Sequence, residues 1–136
     1  MAEQKPVERY RNRRLHKRFA LVDDKAPAPM SFRYPSEGGR VFQTRVKDIS
    51  LSGISMVLPD ELPGLKVGDI LPNIEANVAG QAFRIDLLVM HMTPGNQVGA
   101  ACGGLIYPER DEDIITIRRI IRSLDGTIRR DNPLIG

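Results

Sequence analysis

Ile70-Leu71-Pro72-Asn73-Ile74-Glu75-Ala76-Asn77-Val78-Ala79-Gly80-Gln81-Ala82-Phe83-Arg84-Ile85-Asp86-Leu87-Leu88-Val89 decides the fold of this chain. In its second half Phe83, Ile85, Leu87 and Val89 fall at every second position, with Arg84 and Asp86 between them. A period of two is the mark of a strand with one buried face. In the first half Ile70, Ile74, Ala76 and Val78 keep one parity and predict the partner strand. Gly80, at the tight turn between them, supplies positive φ without steric cost. The stretch is therefore read as an antiparallel hairpin.

Toward the C-terminus, residues 87–108 carry no formal charge, but Pro94-Gly95-Asn96-Gln97 interrupts them. Such a break argues for another hairpin rather than a membrane helix, with the next strand running through Val98, Ala100 and Cys102. The period then changes. Ile114, Ile117, Ile121 and Leu124 form a helical stripe, and Arg118, Arg119 and Arg122 lie off it. Asp111 is the expected N-cap, Glu112 and Asp113 favour the positive helix start, and Gly126 is the expected stop. The helix is assigned to residues 109–126, packed on the strands, with 127–136 as a tail. Its acidic start opposes a role on anionic lipid.

Toward the N-terminus, Met30, Phe32 and Tyr34 alternate with Ser31 and Arg33, and Ser36-Glu37-Gly38-Gly39 reads as a turn. The returning strand, residues 40–47, places Phe42, Thr44 and Val46 on one face and Arg45 and Lys47 on the other. Residues 48–53 are expected to interrupt the ladder before Ile54, Met56 and Leu58 resume it. Six or so short strands joined by tight turns point to an antiparallel barrel or sandwich, and barrel closure leaves no exposed edge.

The 136 residues, 41% hydrophobic, fit one domain. The net charge is only +3, yet residues 1–20 hold seven Lys or Arg against Glu3 and Glu8, a local +5. Residues 1–18 have no apolar period and are read as a flexible basic arm, which implies an anionic partner. The single Cys102 excludes an intramolecular disulfide and fits a reducing compartment. The first residues lack the apolar core of a signal peptide, so a cytoplasmic protein is expected. His16 and His91 have no second ligand near them in sequence, and no acid/base couple or phosphate loop is present. No metal site, no cofactor and no enzymatic activity are expected.

Two motifs carry the positive signal. Arg14 and Arg18, spaced R-x-x-x-R, offer two guanidinium forks that can grip a guanine O6/N7 edge or a phosphate. Asp48-Ile49-Ser50-Leu51-Ser52-Gly53 offers an acceptor for the guanine N1/N2 edge, a hydroxyl donor and a glycine that permits close backbone approach. Each half alone is weak, since arginine pairs are common in basic tails and D-x-S-x-x-G suits a plain turn.

In this order, with the arginines ahead of the first strand, the pair resembles the PilZ domain family over about residues 9–124. The resemblance implies an all-β fold with a C-terminal helix: a six-stranded antiparallel barrel at 19–108 that binds the second messenger cyclic di-GMP and passes the signal to a protein partner. Carried over by motif, Arg14 and Arg18 would hold guanine and phosphate, Asp48 a guanine edge, Ser50 a second polar contact and Gly53 the turn. Arg13, just before the first motif arginine, is the family feature that goes with two intercalated ligands instead of one. The chain departs from the family at Ala101-Cys102-Gly103-Gly104, small residues where members often place a bulky aromatic. Two other readings stay open here: a PilZ-like interaction module without ligand, and a small barrel that binds single-stranded nucleic acid. The second lacks stacking platforms, because aromatics total 5% and there is no Trp. The downstream partner, and whether the chain is a monomer or a homodimer, are not encoded in these motifs.

Overall fold

The computed structural model describes residues 16–21, 28–35, 38–58, 62, 64–93 and 100–130. Seven strands precede one helix: β1 Phe19–Ala20, β2 Pro29–Tyr34, β3 Arg40–Ile49, β4 Gly53–Leu58, β5 Ile70–Val78, β6 Gln81–Thr93, β7 Ala100–Pro108 and α1 Asp111–Arg130. The sheet order is β1-β3-β2-β5-β6-β7-β4, and β4 also pairs with β3. That last pairing closes β2 to β7 into a six-stranded antiparallel barrel, with β1 as a short extra strand on β3. The long β3 spans the seam, pairing with β2 over its first part and with β4 and β1 over its last.

The β5–β6 hairpin forms because Val78 pairs with Gln81 across a two-residue loop. Both loop residues have positive φ, 54° at Ala79 and 79° at Gly80, the twist that matches right-handed strands. Phe83, Ile85, Leu87 and Val89 are all buried, as their period requires. On β5 the parity does not hold throughout. Ile70 is 60% exposed and Leu71 only 1%, while Ile74, Ala76 and Val78 are buried. The cause is a bulge: Leu71 faces Leu87 and Ile74 faces Ile85, so β5 spends one residue more than β6 over this interval. Pro72 has no N–H to give the ladder. Asn73, at φ 55°, donates its N–H to the Asp86 carboxylate at 3.0 Å.

α1 lies mainly against β6, with edges on β1 and β7. Ile117 and Ile120 are fully buried, Ile121 and Leu124 pack at the margin, and Ile114 is 36% exposed. The buried stripe is thus rotated toward Ile120 from the one the spacing predicts. The expected cap at Asp111 is also replaced. The amides of Asp113 and Ile114 donate to the Arg110 carbonyl, which makes Arg110 the N-cap residue. The buried Asp113 carboxylate answers by accepting the Arg110 N–H at 3.1 Å and the Arg84 N–H at 3.0 Å. This is the reciprocal half of a capping box, and it ties the helix start to β6. The Arg110 guanidinium, at 3.0 and 3.2 Å, holds the Asp113 carboxyl below the usual carboxylate range against the burial that raises it. The helix continues to Arg130, past the stop expected at Gly126, where a side chain would meet nothing within 4 Å. Among the described residues no helix is long and apolar enough to cross a membrane.

Candidate ligand-binding site

The expected interruption at 48–53 is shorter than its sequence suggests. Asp48 and Ile49 still belong to the ladder, and only residues 50–52 leave it. What changes at Asp48 is the face. Val46 opposes Met56 and Asp48 opposes Ser55, so Lys47 is the extra residue of a bulge. Were residues 46–49 to alternate strictly with no bulge, the parity of Val46 would carry Asp48 into the core. With it, Ile49 becomes fully buried, while Asp48 stays half-exposed on the outer surface.

β1 brings the arm to that surface. Phe19 pairs with Ile49 and Ala20 with Asp48, and the Leu21 N–H donates to the Lys47 carbonyl at 2.7 Å. Phe19 and Leu21 are buried and fix the strand by its apolar side. Arg18 then stands with Nη1 3.4 Å from Asp48 Oδ1, with 31% and 26% of the two side chains exposed. The other carboxylate oxygen accepts from Ser55 Oγ at 2.7 Å. Both oxygens of Asp48 are therefore held, and the carboxylate is aimed before any ligand arrives.

Ser50 has a different place from the one its motif role suggests. It is buried, and its Oγ accepts from the amides of Ser52 at 3.2 Å and Gly53 at 3.0 Å, while the Ser50 N–H donates to the Gly53 carbonyl at 2.9 Å. The hydroxyl builds the turn that ends β3. The turn is in turn tied to β7 by the Ile106 N–H, which donates to the Ser52 carbonyl at 3.0 Å. Gly53 is required by close approach: a Cβ there would lie 2.7 Å from the Gly104 carbonyl oxygen. A Cβ on Gly104 would in its turn overlap the Leu88 carbonyl, so three strands meet here with no room for side chains.

The small Gly103 has a complementary neighbour. Register places Asp48, Ser55, Gly103 and His91 in one row across β3, β4, β7 and β6. The His91 ring stands over Gly103, its Cε1 and Nε2 2.7 and 2.8 Å from where a Cβ would be. Where the resemblance implies an aromatic on β7, an imidazole from β6 occupies the space. Neither Ser55 nor His91 was singled out from the sequence as a site residue. The signal for Ser55 was a lone hydroxyl between the core residues Ile54 and Met56. Arg13 and Arg14 lie outside the described residues. Lys17 Nζ sits 5.3 Å from the Phe19 ring centroid and adds a second cation beside Arg18. Cys102 is buried and its thiol is pushed up to about 11, which keeps it protonated and unreactive. Among the described residues no group of three His, Cys, Asp or Glu is placed to hold a metal.

The described residues thus form a closed six-stranded barrel with Arg18 laid beside an outward aspartate and a serine-held turn. The family model of the PilZ domain matches residues 12–126, and the chain belongs to that family. Among solved structures, the K. pneumonia MrkH–c-di-GMP complex is similar at TM-score 0.74 and 20% identity, over 87% of this chain and 55% of that one. The PilZ domain of Escherichia coli YcgR with c-di-GMP is similar at TM-score 0.66 and 20% identity, over 88% of this chain and 96% of that domain. The Bacillus subtilis inhibitor of motility MotI/DgrA follows at TM-score 0.58 and 16% identity, over 82% of this chain and 51% of that one. The chain thus spans about half of MrkH and nearly all of the YcgR domain. No curated protein matches the chain in sequence.

Proposed function

We propose that this chain is a cyclic di-GMP receptor without enzymatic activity of its own, acting in the cytoplasm on a protein partner. The observation that carries the proposal is the Arg18–Asp48 pair, held on the outer face of a PilZ barrel by β1 and the Lys47 bulge. Three of the similar solved structures, one of MrkH and two of YcgR, contain c-di-GMP. Asp48 takes the N1/N2 edge of a guanine, for which a fixed carboxylate is the natural acceptor. Arg18 leaves Asp48 for the O6/N7 edge or a phosphate. A half-exposed ion pair at 3.4 Å is worth only about 0–1 kcal/mol, so the exchange costs little.

Arg14 is drawn in from ahead of the described residues to neutralise phosphate, and Arg13 beside it supports a second, intercalated ligand. Phe19 and Leu21 are already seated in the core, so any ordering on binding falls upstream of them. Each residue fixed there costs roughly 1–2 kcal/mol, which limits the closure to a few residues. Ser50 supports the ligand through the turn, keeping Gly53 and Asp48 in place.

Titration calorimetry of the chain with cyclic di-GMP, GMP and a short single-stranded oligonucleotide tests the proposal. Saturable binding of cyclic di-GMP and much weaker response to the other two is expected. A preference for the oligonucleotide, or no heat with cyclic di-GMP, overturns it.

A further inference from the structure

Beside the Arg18–Asp48 pair the fold leaves a cleft of about 200 Å³ between the β3–β4 turn and α1, lined by His16, Leu51, Pro108, Ile114, Ile117 and Arg118. None of the motif residues Arg18, Asp48, Ser50 and Gly53 lines it. Leu51 is the middle of the D-x-S-x-x-G element, and with the Ser50 hydroxyl turned inward its exposed side chain is what this turn presents to the cleft. Ile114 is the one residue of the expected helical stripe that the core does not take. His16 comes from the basic run, two residues before Arg18. The cleft therefore adjoins the candidate site through both the arm and the turn.

We infer that this cleft is a second base-binding subsite, in which the Arg118 fork reads the O6/N7 edge of a guanine whose faces lie against Leu51 and Ile114. The inference rests on the cyclic di-GMP reading above. Four of the six lining side chains are apolar and one is a permanent cation, a composition that suits a flat ring with a polar edge better than a bare phosphate. A volume of about 200 Å³ is below the ~300–1,000 Å³ of a pocket for a whole small molecule, so it takes one base and not a dinucleotide. Cyclic di-GMP carries two guanines, and Asp48 with Arg18 accounts for one. Ile114 and Arg118 are four residues apart on one helix face, so wall and fork are presented together. Arg119 and Arg122 are also exposed on α1 but do not line the cleft, and they serve as controls.

The test is calorimetric titration of the full chain with cyclic di-GMP in wild type, Arg118→Ala, Arg118→Lys and Arg122→Ala. Arg118 is exposed, so all four proteins should melt alike. Arg118→Ala is expected to weaken binding about ten- to hundredfold, as loss of a bidentate guanine contact does. Arg118→Lys should stay weak, because an ammonium cannot make the fork, and Arg122→Ala should bind as wild type. Wild-type affinity in Arg118→Ala overturns the inference and leaves the receptor reading standing. Full rescue by Arg118→Lys overturns the base assignment, since charge alone would then suffice. A wild-type chain that does not bind cyclic di-GMP overturns the receptor reading and the subsite with it.

Discussion

Two of the three bulges among the described strands, at Pro72-Asn73 and at Lys47, add one residue each and do opposite things with it. At Pro72-Asn73 on β5 the extra residue leaves Ile70 in solvent and is tied off by the Asp86 carboxylate, on a part of the wall with no motif residue. At Lys47 on β3 the extra residue turns an aspartate out of the core and sets it against Arg18 and Ser55. Both relieve the same constraint, the curvature of a closing sheet. Only the second re-aims a polar side chain toward a partner arriving from another segment. A bulge becomes part of a site through what its displaced side chain meets.

Deleting one residue from each bulge should separate these roles most sharply. Loss of Lys47 leaves Asp48 directly after the buried Val46, so the carboxylate still faces outward, but it removes the local bend and twist that set Asp48 against Arg18 and Ser55. A lowered urea midpoint and a large loss of cyclic di-GMP binding are expected. Loss of Asn73 should lower the midpoint yet leave the affinity of the folded fraction near wild type; equal loss of binding in both would erase the distinction.

Next in size, Arg18→Ala should weaken binding by about 1.5–3 kcal/mol, the worth of a charge-assisted bond, with little change in the unfolding curve. Ser50→Ala leaves the Ser52 and Gly53 amides of a buried turn without their acceptor. It should cost about 1–3 kcal/mol of stability by denaturant titration, and weaken binding only through the turn.

A smaller effect separates the site from the helix cap. Asp113 has a folded pKa below its unfolded one, so its contribution is present above the unfolded value near ~3.9 and is lost as pH falls through the lower folded value. Acid unfolding followed by circular dichroism should show this loss in wild type and not in Asp113→Asn. Smallest of all, Ala79→Gly should raise stability by up to about 1 kcal/mol, because Ala79 sits at φ 54°. It should do nothing to ligand binding, far round the barrel.

The alternation at Met30, Phe32 and Tyr34, and again from Phe83 to Val89, was legible because a period of two is a property of one strand alone. The bulges were not. An added residue has no local signature and shows only when two strands are aligned, which is why Ile70 was expected inside and residues 48–53 were expected to leave the ladder. The helix was legible in kind, but Ile120 and the Arg110–Asp113 cap depend on which face β6 accepts. The motif residues were legible as a sequence pattern, and of them the structure brings Arg18 and Asp48 into contact. That Ser55 and not Ser50 bonds the Asp48 carboxylate, and that His91 fills the space over Gly103, were not.

Sequence by itself determined the strand content, the closing helix, the family through Arg14, Arg18, Asp48, Ser50 and Gly53, and the placement of surplus positive charge ahead of the first strand. These follow from periodicity, spacing and composition, which are properties of the chain in order. Tertiary structure alone decided that Arg18 and Asp48, thirty residues apart, meet at 3.4 Å, that the Ser50 hydroxyl is spent inside its own turn, and that Arg118 on a helix near the far end of the chain shares a cleft with His16 and Leu51. Each of these depends on register between strands and on packing of α1 against the barrel, and a contact between distant residues exists only once the whole sheet has closed.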